Sequence, residues 1–328
     1  MFGDSPRSGI QDIGFLLLDR FSMMALSSAL EPLRMANTIS DREIYRWSLI
    51  SRDGGPVLAS NGLESIVRCS MDAAPPLPMI VVLASYDPHL SGTRDVLQWL
   101  RRQAARGAVI GGVDTGSDVL ASAGLLDGYR ATIHWMMLDL FAEQYPNVEA
   151  VQDIFVIDRN RFTAAGATAG IDMMLHLIRT QHGADIAAGV ADQFIYHSVR
   201  EAGVQQRRDA ADRYALHNPG LARALRLMAE NVEEPLRTPE IAREAGLSVR
   251  ALERAFKKWL RTTPAKYHRR LRLERSRELI RHSNHSVLEI AVRCGFNSAA
   301  HFSDSYKTFF GHPPSADRGR TRIAQPAA

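Results

Sequence analysis

An α/β domain built on a mostly parallel sheet, followed by an all-α domain with two helix-turn-helix motifs, is the fold class this 328-residue chain predicts. Three observations predict it. From residue 12 to residue 200, short apolar runs alternate with amphipathic segments, as in parallel strands covered by helices on both faces. In the C-terminal third, two capped helix pairs stand in tandem, each with a glycine turn. The charge is also divided, since residues 219–328 hold 21 Lys+Arg against 11 Asp+Glu while residues 1–218 hold 19 against 25.

After a polar tail, IGFLLLD and WSLIS read as strands with SMMALSSALEPLRMAN as the helix between them. MIVVLAS then precedes the helical TRDVLQWLRRQAAR, and AVIGGVD precedes TGSDVLASAG. Two more short runs, IFVID and FTAAG, lead into helical patterns over 169–180 and 185–199. Residues 200–220 lack apolar periodicity and end in Asn-Pro-Gly, which marks a linker. The expected division is therefore an α/β domain over 10–199, a linker over 200–220, a helix-turn-helix domain over 221–318 and a disordered tail over 319–328.

All four lysines, Lys257, Lys258, Lys266 and Lys307, lie in the basic part. A basic module carried by an acidic one suits binding to a polyanion, because phosphate contacts release counterions. Cys69 and Cys294 are too few for a disulfide framework or a zinc site, which points to a reducing cytoplasm. No apolar run approaches the ~18 residues of a membrane span. Neither a cofactor nor a metal is called for.

The first helix-turn-helix unit reads TPEIAREAGLSVRALERAFKKWL, with Thr238 as N-cap, Pro239 at the first helical position, Gly246 in the turn and Ser248 capping the second helix. In that helix Val249, Leu252, Phe256 and Leu260 recur at core spacing, which turns Arg250, Glu253, Arg254 and Lys257 outward together. Long donors and acceptors on such a face reach base edges in the major groove, arginine suiting guanine and glutamate accepting from cytosine. The second unit, SVLEIAVRCGFNSAAHFSDSYKTFFG, opens on a capping box of Ser286 and Glu289, turns at Gly295 and caps its last helix with Ser298. Phe302, Tyr306, Phe309 and Phe310 are core-like, and Ser298, Ala299, Ala300 and His301 stand at the reading end with Asp304 one turn on. Alanine offers a thymine methyl only contact, and Asp304 repels phosphate, so this unit discriminates less than the first. AKYHRRLRLERSRELIRHS reads as one long helix between the units, with Arg269, Arg270, Arg272, Arg275 and Arg277 available to backbone phosphates.

From about Leu221 to Arg318 these residues resemble the AraC/XylS family of bacterial transcription regulators, most specifically at Ile290, Ala291, Gly295, Phe296, Phe302, Phe309, Gly311 and Pro314. The resemblance implies seven helices whose two recognition helices enter successive major grooves on one face of the duplex. It also implies activation through RNA polymerase.

AVIGGVDTGSDVLASAGLL passes from an apolar strand through Gly112, Val113, Asp114, Thr115 and Gly116 into a helix, the shape of a nucleophile elbow. An enzyme would carry Ser or Cys where this chain has Asp114, so the aspartate reads equally as a helix cap or a ligand-binding group. Residues 10–195 resemble the class I glutamine amidotransferase-like (flavodoxin-like) fold, in the branch that precedes AraC-type domains, through the opening strand, SSALEPLRMAN, the elbow and AGLLDGYRATIHW. The resemblance implies a pocket at the strands' carboxyl ends, formed by Asp114 and Glu31 with Tyr86, Tyr129, His134 and Trp135 as walls. Carboxylates beside aromatic faces attract an ammonium or quaternary amine, and regulators with this domain pair sense amino acids or methylated amines such as glycine betaine and carnitine.

The leading expectation is a homodimeric, ligand-responsive regulator that binds double-stranded DNA. The alternative is a DNA-tethered amidase or hydrolase using Asp114 and His134. A nucleoid protein without sequence preference fits the charge but not two well-formed recognition helices.

Overall fold

The computed structural model describes residues 9–85, 91–206, 211, 214, 217–283 and 285–320. The chain divides into two compact units, Met1–Gln206 and Arg207–Ala328.

In the first unit the order is β1 (Gln11–Leu17), α1 (Met23–Ser40), β2 (Tyr45–Ser51), β3 (Val57–Leu58), β4 (Glu64–Ser65), β5 (Cys69–Ser70), β6 (Met79–Ala84), α2 (Arg94–Ala105), β7 (Val109–Asp114), α3 (Gly116–Ser122) and β8 (Arg130–Ala131). It continues with α4 (Leu138–Gln144), β9 (Glu149–Ala150), β10 (Phe155–Asp158), β11 (Arg161–Ala164), α5 (Ala169–His182) and α6 (Ala184–Gln193). Seven strands form one sheet in the order β10-β11-β7-β6-β1-β2-β5. Every pairing in it is parallel except the β10–β11 hairpin. The order reverses at β1, flanked by β2 on one side and β6 on the other, so the crevice for a ligand opens at the carboxyl ends of the central strands.

Strands buried on both faces need apolar residues at every position, which is why β6 is the unbroken run MIVVLA. Alternate residues feed opposite cores. Phe15, Leu17, Val81 and Leu83 pack with Leu33 of α1 and Met173 and Leu177 of α5. Leu16, Ile80 and Val82 pack with Trp99 of α2, Leu120 of α3 and Phe141 of α4. α6 ends at Gln193, short of the residue 199 expected, and the chain beyond it folds back on its own unit. Residues 200–206, expected as the start of a linker, are held there by Arg200 on Asp172 and by a bridge between Gln205 and Asp153.

The second unit comprises α7 (Pro219–Glu230), α8 (Thr238–Glu244), α9 (Val249–Ala255) with a π-helical turn Phe256–Leu260, α10 (Pro264–His282), α11 (Val287–Arg293), α12 (Ala299–Phe310) and α13 (Pro314–Arg320). Residues 219–220 of the expected linker are already helix, capped by the Asn218 side chain, which accepts from the Leu221 N–H. α8 starts one residue earlier than the sequence suggests: Arg237 is the cap residue, its N–H donating to Glu240 at 2.7 Å, and Thr238 is helical. The expected disordered tail begins in α13, which runs to Arg320, and residues 321–328 lie outside those described. One apolar cluster joins Leu221, Leu225 and Met228 of α7 to Ile241, Leu252 and Phe256. A second joins Leu273 and Ile280 of α10 to Ile290, Phe296, Phe302 and Tyr306. α10 spans both.

Polar bonds lock the second cluster. Asp317 of α13, fully buried, accepts from Arg277 Nε at 3.0 Å, Arg281 Nη2 at 2.6 Å and the Tyr306 hydroxyl at 2.6 Å. Burial pushes its carboxyl up, but the bonds from Tyr306 and Arg281 and the charges of Arg281 and Arg277 outweigh that and hold it below the usual range.

Candidate DNA-binding face and effector site

The first reading helix starts where the Ser248 hydroxyl accepts from the Ala251 N–H at 3.2 Å. Leu252, Ala255 and Phe256 are buried beneath it, and Arg250, Glu253, Arg254 and Lys257 are all exposed. Their spacing of three, four and seven residues puts the four on one stripe of the helix. Val249, expected in the core, is 38 % exposed and extends the outer face instead, because the buried seam begins at Leu252.

In the second unit Ser286 and Glu289 form the reciprocal capping box, and the Ser298 hydroxyl accepts from the His301 N–H at 3.2 Å. Ser298, Ala300, His301 and Asp304 are exposed and Ala299 is half-buried. Phe302 and Tyr306 are buried as expected, whereas Phe309 is 45 % exposed, one position outside their seam. The turn residues Gly246 and Gly295 have φ of +71° and +68°.

The arginines of α10 divide. Arg269 and Arg270 are exposed, Arg270 pairing with Glu274 at 2.7 Å, and remain on the solvent face. Arg272 instead turns inward: its guanidinium donates to the carbonyls of Cys294 and Gly295 and lies 4.3 Å from the centre of the Phe296 ring. Arg275 pairs with Glu278 at 3.3 Å, and Arg277 holds Asp317. Arg272 and Arg277 are thus clamps on the second helix-turn-helix rather than phosphate contacts, because their guanidiniums are taken up by two backbone carbonyls and by a buried carboxylate that Arg277 shares with Arg281.

In the first unit, β7 ends on Asp114 with φ +62°, a left-handed conformation uncommon outside glycine, though more open to aspartate than to most side chains. The surroundings here leave little choice. A Cβ on Gly116 would lie 2.2 Å from the Val82 carbonyl oxygen, and one on Gly112 would lie 2.5 Å from the Ser117 nitrogen, so α3 starts directly against the sheet. Gly166, at φ +91°, closes over the aspartate, since a Cβ there would sit 2.9 Å from Asp114 Cβ. Asp114 is 8 % exposed. Burial pushes its carboxyl up to about 7, opposed by bonds from the Ser85 side chain and the Thr115 N–H. Thr115 Oγ1 in turn donates to the Ser85 carbonyl at 2.6 Å. One turn on, Asp118 is raised to about 6 by burial, opposed by a bond from Tyr145.

Thr132 brings the His134 segment to the elbow. Its carbonyl accepts from Ser117 Oγ at 2.7 Å, and its N–H donates to Thr163 Oγ1 at 2.8 Å beside the Gly112 register position. The His134 and Trp135 rings lie 5.6 Å apart, and burial holds the imidazole below its ordinary range, hence neutral. The other expected residues do not converge there. Tyr129 donates to Asn160 Oδ1 at 2.8 Å, with the Arg159 guanidinium 3.7 Å from its ring centre. Asn160 in turn accepts from Ile110 at the start of β7, about 13 Å of strand away from Asp114, so Tyr129 belongs to the opposite end of the sheet. Glu31 pairs with Arg34 at 2.8 Å on the solvent side of α1, its side chain 43 % exposed. From α1, buried Ser28 packs against Gly170 in the first turn of α5, where a Cβ would lie 2.3 Å from the serine hydroxyl. Tyr86 lies outside the described residues. Ser85, Thr132 and Gly166 support the elbow without a local sequence signal, because each meets it through a contact from a distant segment.

No helix among the described residues is long and apolar enough to cross a membrane, and no described group of His, Cys, Asp and Glu could hold a metal ion. Residues 12–180 match the DJ-1/PfpI family and residues 241–320 a helix-turn-helix domain. The chain is 43 % identical over 316 residues to the HTH-type transcriptional regulator GbdR of Pseudomonas aeruginosa, covering 96 % of this chain and 86 % of that one. The first unit is also similar to the isonitrile hydratase of Pseudomonas putida, 36 % identical over 188 residues, covering 56 % of this chain and 78 % of the enzyme. The crystal structure of an AraC family transcriptional regulator from Pseudomonas putida superposes with a TM-score of 0.51 at 29 % identity, covering 56 % of this chain and 99 % of that one. With two capped helix-turn-helix pairs behind a parallel α/β unit that ends in an elbow, the chain belongs to the AraC-type transcriptional regulators that carry an N-terminal DJ-1/PfpI, amidotransferase-like domain.

Proposed function

We propose that this DNA-binding regulator responds to a small metabolite of the amino acid or methylated amine class, whose cationic amine group is taken at the elbow. The observation that supports this best is Asp114, a carboxyl held in a strained, buried position at the end of β7 where a cation would restore its charge. The His134–Trp135 pair supplies aromatic surface on the segment that the Thr132–Ser117 bond ties to the first turn of α3. In this reading the protein works in the cytoplasm as a homodimer that places two C-terminal units on repeated half-sites, and it activates transcription through RNA polymerase. Isothermal titration with glycine betaine, carnitine and arginine tests the effector class, and absence of heat with all three from folded protein rejects it.

For DNA, Arg254 and Arg250 read bases and Lys257 holds a phosphate. Selection from a random pool by the full chain should recover half-sites about one helical turn, or a multiple, apart. On the recovered site Arg254→Ala should lose about 1–3 kcal/mol of affinity and relax preference at one base position. Lys257→Ala should weaken all sequences alike and lower the slope of log affinity against log salt by about 1. Equal losses on all sequences for both variants would remove base reading from this helix.

A hydrolase reading draws on the likeness to isonitrile hydratase and on the elbow itself. Asp114 lacks a described base within hydrogen-bond reach, its partners Ser85 and Thr115 being donors, so binding is the reading favoured.

A further inference from the structure

We infer that residues 196–206 are a strap that reports the state of the elbow to the DNA-binding unit, with Arg200 and Gln206 as its two positioning residues. The inference rests on the effector reading of Asp114.

The strap is the last segment of the first unit, and the chain continues from it into the second. It is attached by polar bonds at its two ends, one made to Thr132, which supports the elbow, and the other to Asp172 and to Thr168, two residues from Gly166. At one end the Asp172 carboxylate, fully buried in the first turn of α5, accepts from the Arg200 N–H at 2.7 Å, Arg200 Nη2 at 2.6 Å and the Tyr196 hydroxyl at 3.0 Å. Arg200 Nη2 also donates to Thr168 Oγ1 at 2.8 Å. Thr168 stands two residues after Gly166, the glycine in contact with Asp114. At the other end Gln206 Nε2 donates to Thr132 Oγ1 and the Ile133 carbonyl, each at 2.8 Å. Thr132 is the residue whose carbonyl Ser117 holds from the turn that follows Asp114. Between the two, the Ile154 N–H donates to the Val204 carbonyl while the Ile154 carbonyl accepts from Ala165, the neighbour of Gly166.

A displacement of the Gly166 loop or of α3 by an occupant of the elbow therefore moves a hydrogen-bond partner of the strap within one or two bonded contacts. Coupling through such a contiguous network is physically short-range at every step. A solvent-open groove of about 190 Å³ borders the strap, lined by Asp172, His176, Arg179, Ala187, Val199 and Arg200. No residue of the strap is buried, and a segment held by a few polar bonds opens locally more readily than a close-packed apolar seam.

The test uses the full chain and hydrogen exchange read by mass spectrometry, together with affinity for its selected DNA. Ser117→Ala and Gly166→Ala alter the elbow without touching the strap, and Gln206→Ala alters the strap without touching the elbow. Both elbow variants should speed exchange across 196–206 and change DNA affinity by about 3-fold or more. In the Gln206→Ala background the effect of Ser117→Ala on DNA affinity should vanish. Exchange in β6, unchanged throughout, shows that the unit is folded, and Ser117→Ala carries the test if Gly166→Ala is not. Strap exchange that ignores both elbow variants overturns the inference, as does an effect of Ser117→Ala that persists in the Gln206→Ala background. A chain that selects no DNA sequence rejects the regulator reading separately, and the exchange measurement then still decides the strap.

Discussion

Replacing Asp317 with alanine should destabilise the second helix-turn-helix by about 3 kcal/mol and abolish specific DNA binding at physiological temperature. The carboxylate is fully buried and is shared by Arg277, Arg281 and Tyr306, with His312 Nε2 3.6 Å away. Removing one partner of such a cluster leaves the others desolvated and unpaired, which costs about 3–5 kcal/mol for a buried pair. The two arginine side chains are 32 % and 33 % exposed, so water recovers part of that, and the lower end applies. Against a whole-domain stability of roughly 5–15 kcal/mol this is a large fraction. Tyr306 lies on the second reading helix and Arg277 on α10, so the loss falls on the contact that fixes one against the other. Asp317→Asn keeps an acceptor and should lose less. Because the Asp317 carboxyl is held below its ordinary range, its contribution is present above about pH 4 and is lost as pH falls through its folded value. Urea titrations of both variants at neutral pH and near pH 3 measure this, and equal midpoints for wild type and Asp317→Ala at neutral pH would mean that the cluster contributes nothing.

The same cluster shows what a sequence can and cannot disclose. Strands buried on both faces and helices with one apolar face are legible because each demands its own residue period, and the caps at Ser248, Ser286 and Ser298 are legible because their partners lie three residues on. The roles of Arg272 and Arg277 are not, since their partners lie 22 and 40 residues away and a charged residue on a helix looks solvated until its acceptor is placed. The strap is hidden for a related reason: it docks through Arg200 and Gln206 rather than through an apolar stripe, so its composition matches that of a linker. At the elbow, glycines spaced around Asp114 announce a tight turn, and the structure supplies that turn. Which aromatic residues approach it depends on the end of the sheet they occupy, and that is how Tyr129 and His134, five residues apart, come to serve different ends.

Asp114→Asn should stabilise the protein by an amount on the order of 2–4 kcal/mol at pH 8 while removing its affinity for a cationic effector. Asparagine tolerates the left-handed backbone as aspartate does, so the substitution isolates the charge from the strain of the φ +62° turn. The sign follows from the raised carboxyl. In the folded chain Asp114 loses its proton near pH 7, whereas an unfolded aspartate loses it near 4, so between those values the folded state binds the extra proton and stability falls as pH rises. Above 7 the full cost of a buried carboxylate is present, and below about 4 it is gone, so the gain from asparagine should fade with acid. Asp118 titrates nearby and contributes to the pH dependence of both proteins, which is why the difference between them, rather than either curve, is the quantity to measure. A cation bound at the elbow reverses the cost by supplying the missing partner, so wild-type affinity for glycine betaine should rise with pH through about 7 as binding comes to release no more protons, and the variant should show neither the affinity nor the slope. Unfolding by urea at pH 5 and pH 8 and titration calorimetry across the same range give both readings. A variant less stable than wild type at pH 8 would show that Asp114 already has its counter-charge within the folded protein, and the elbow would then have no unbalanced carboxylate for a cationic ligand to meet.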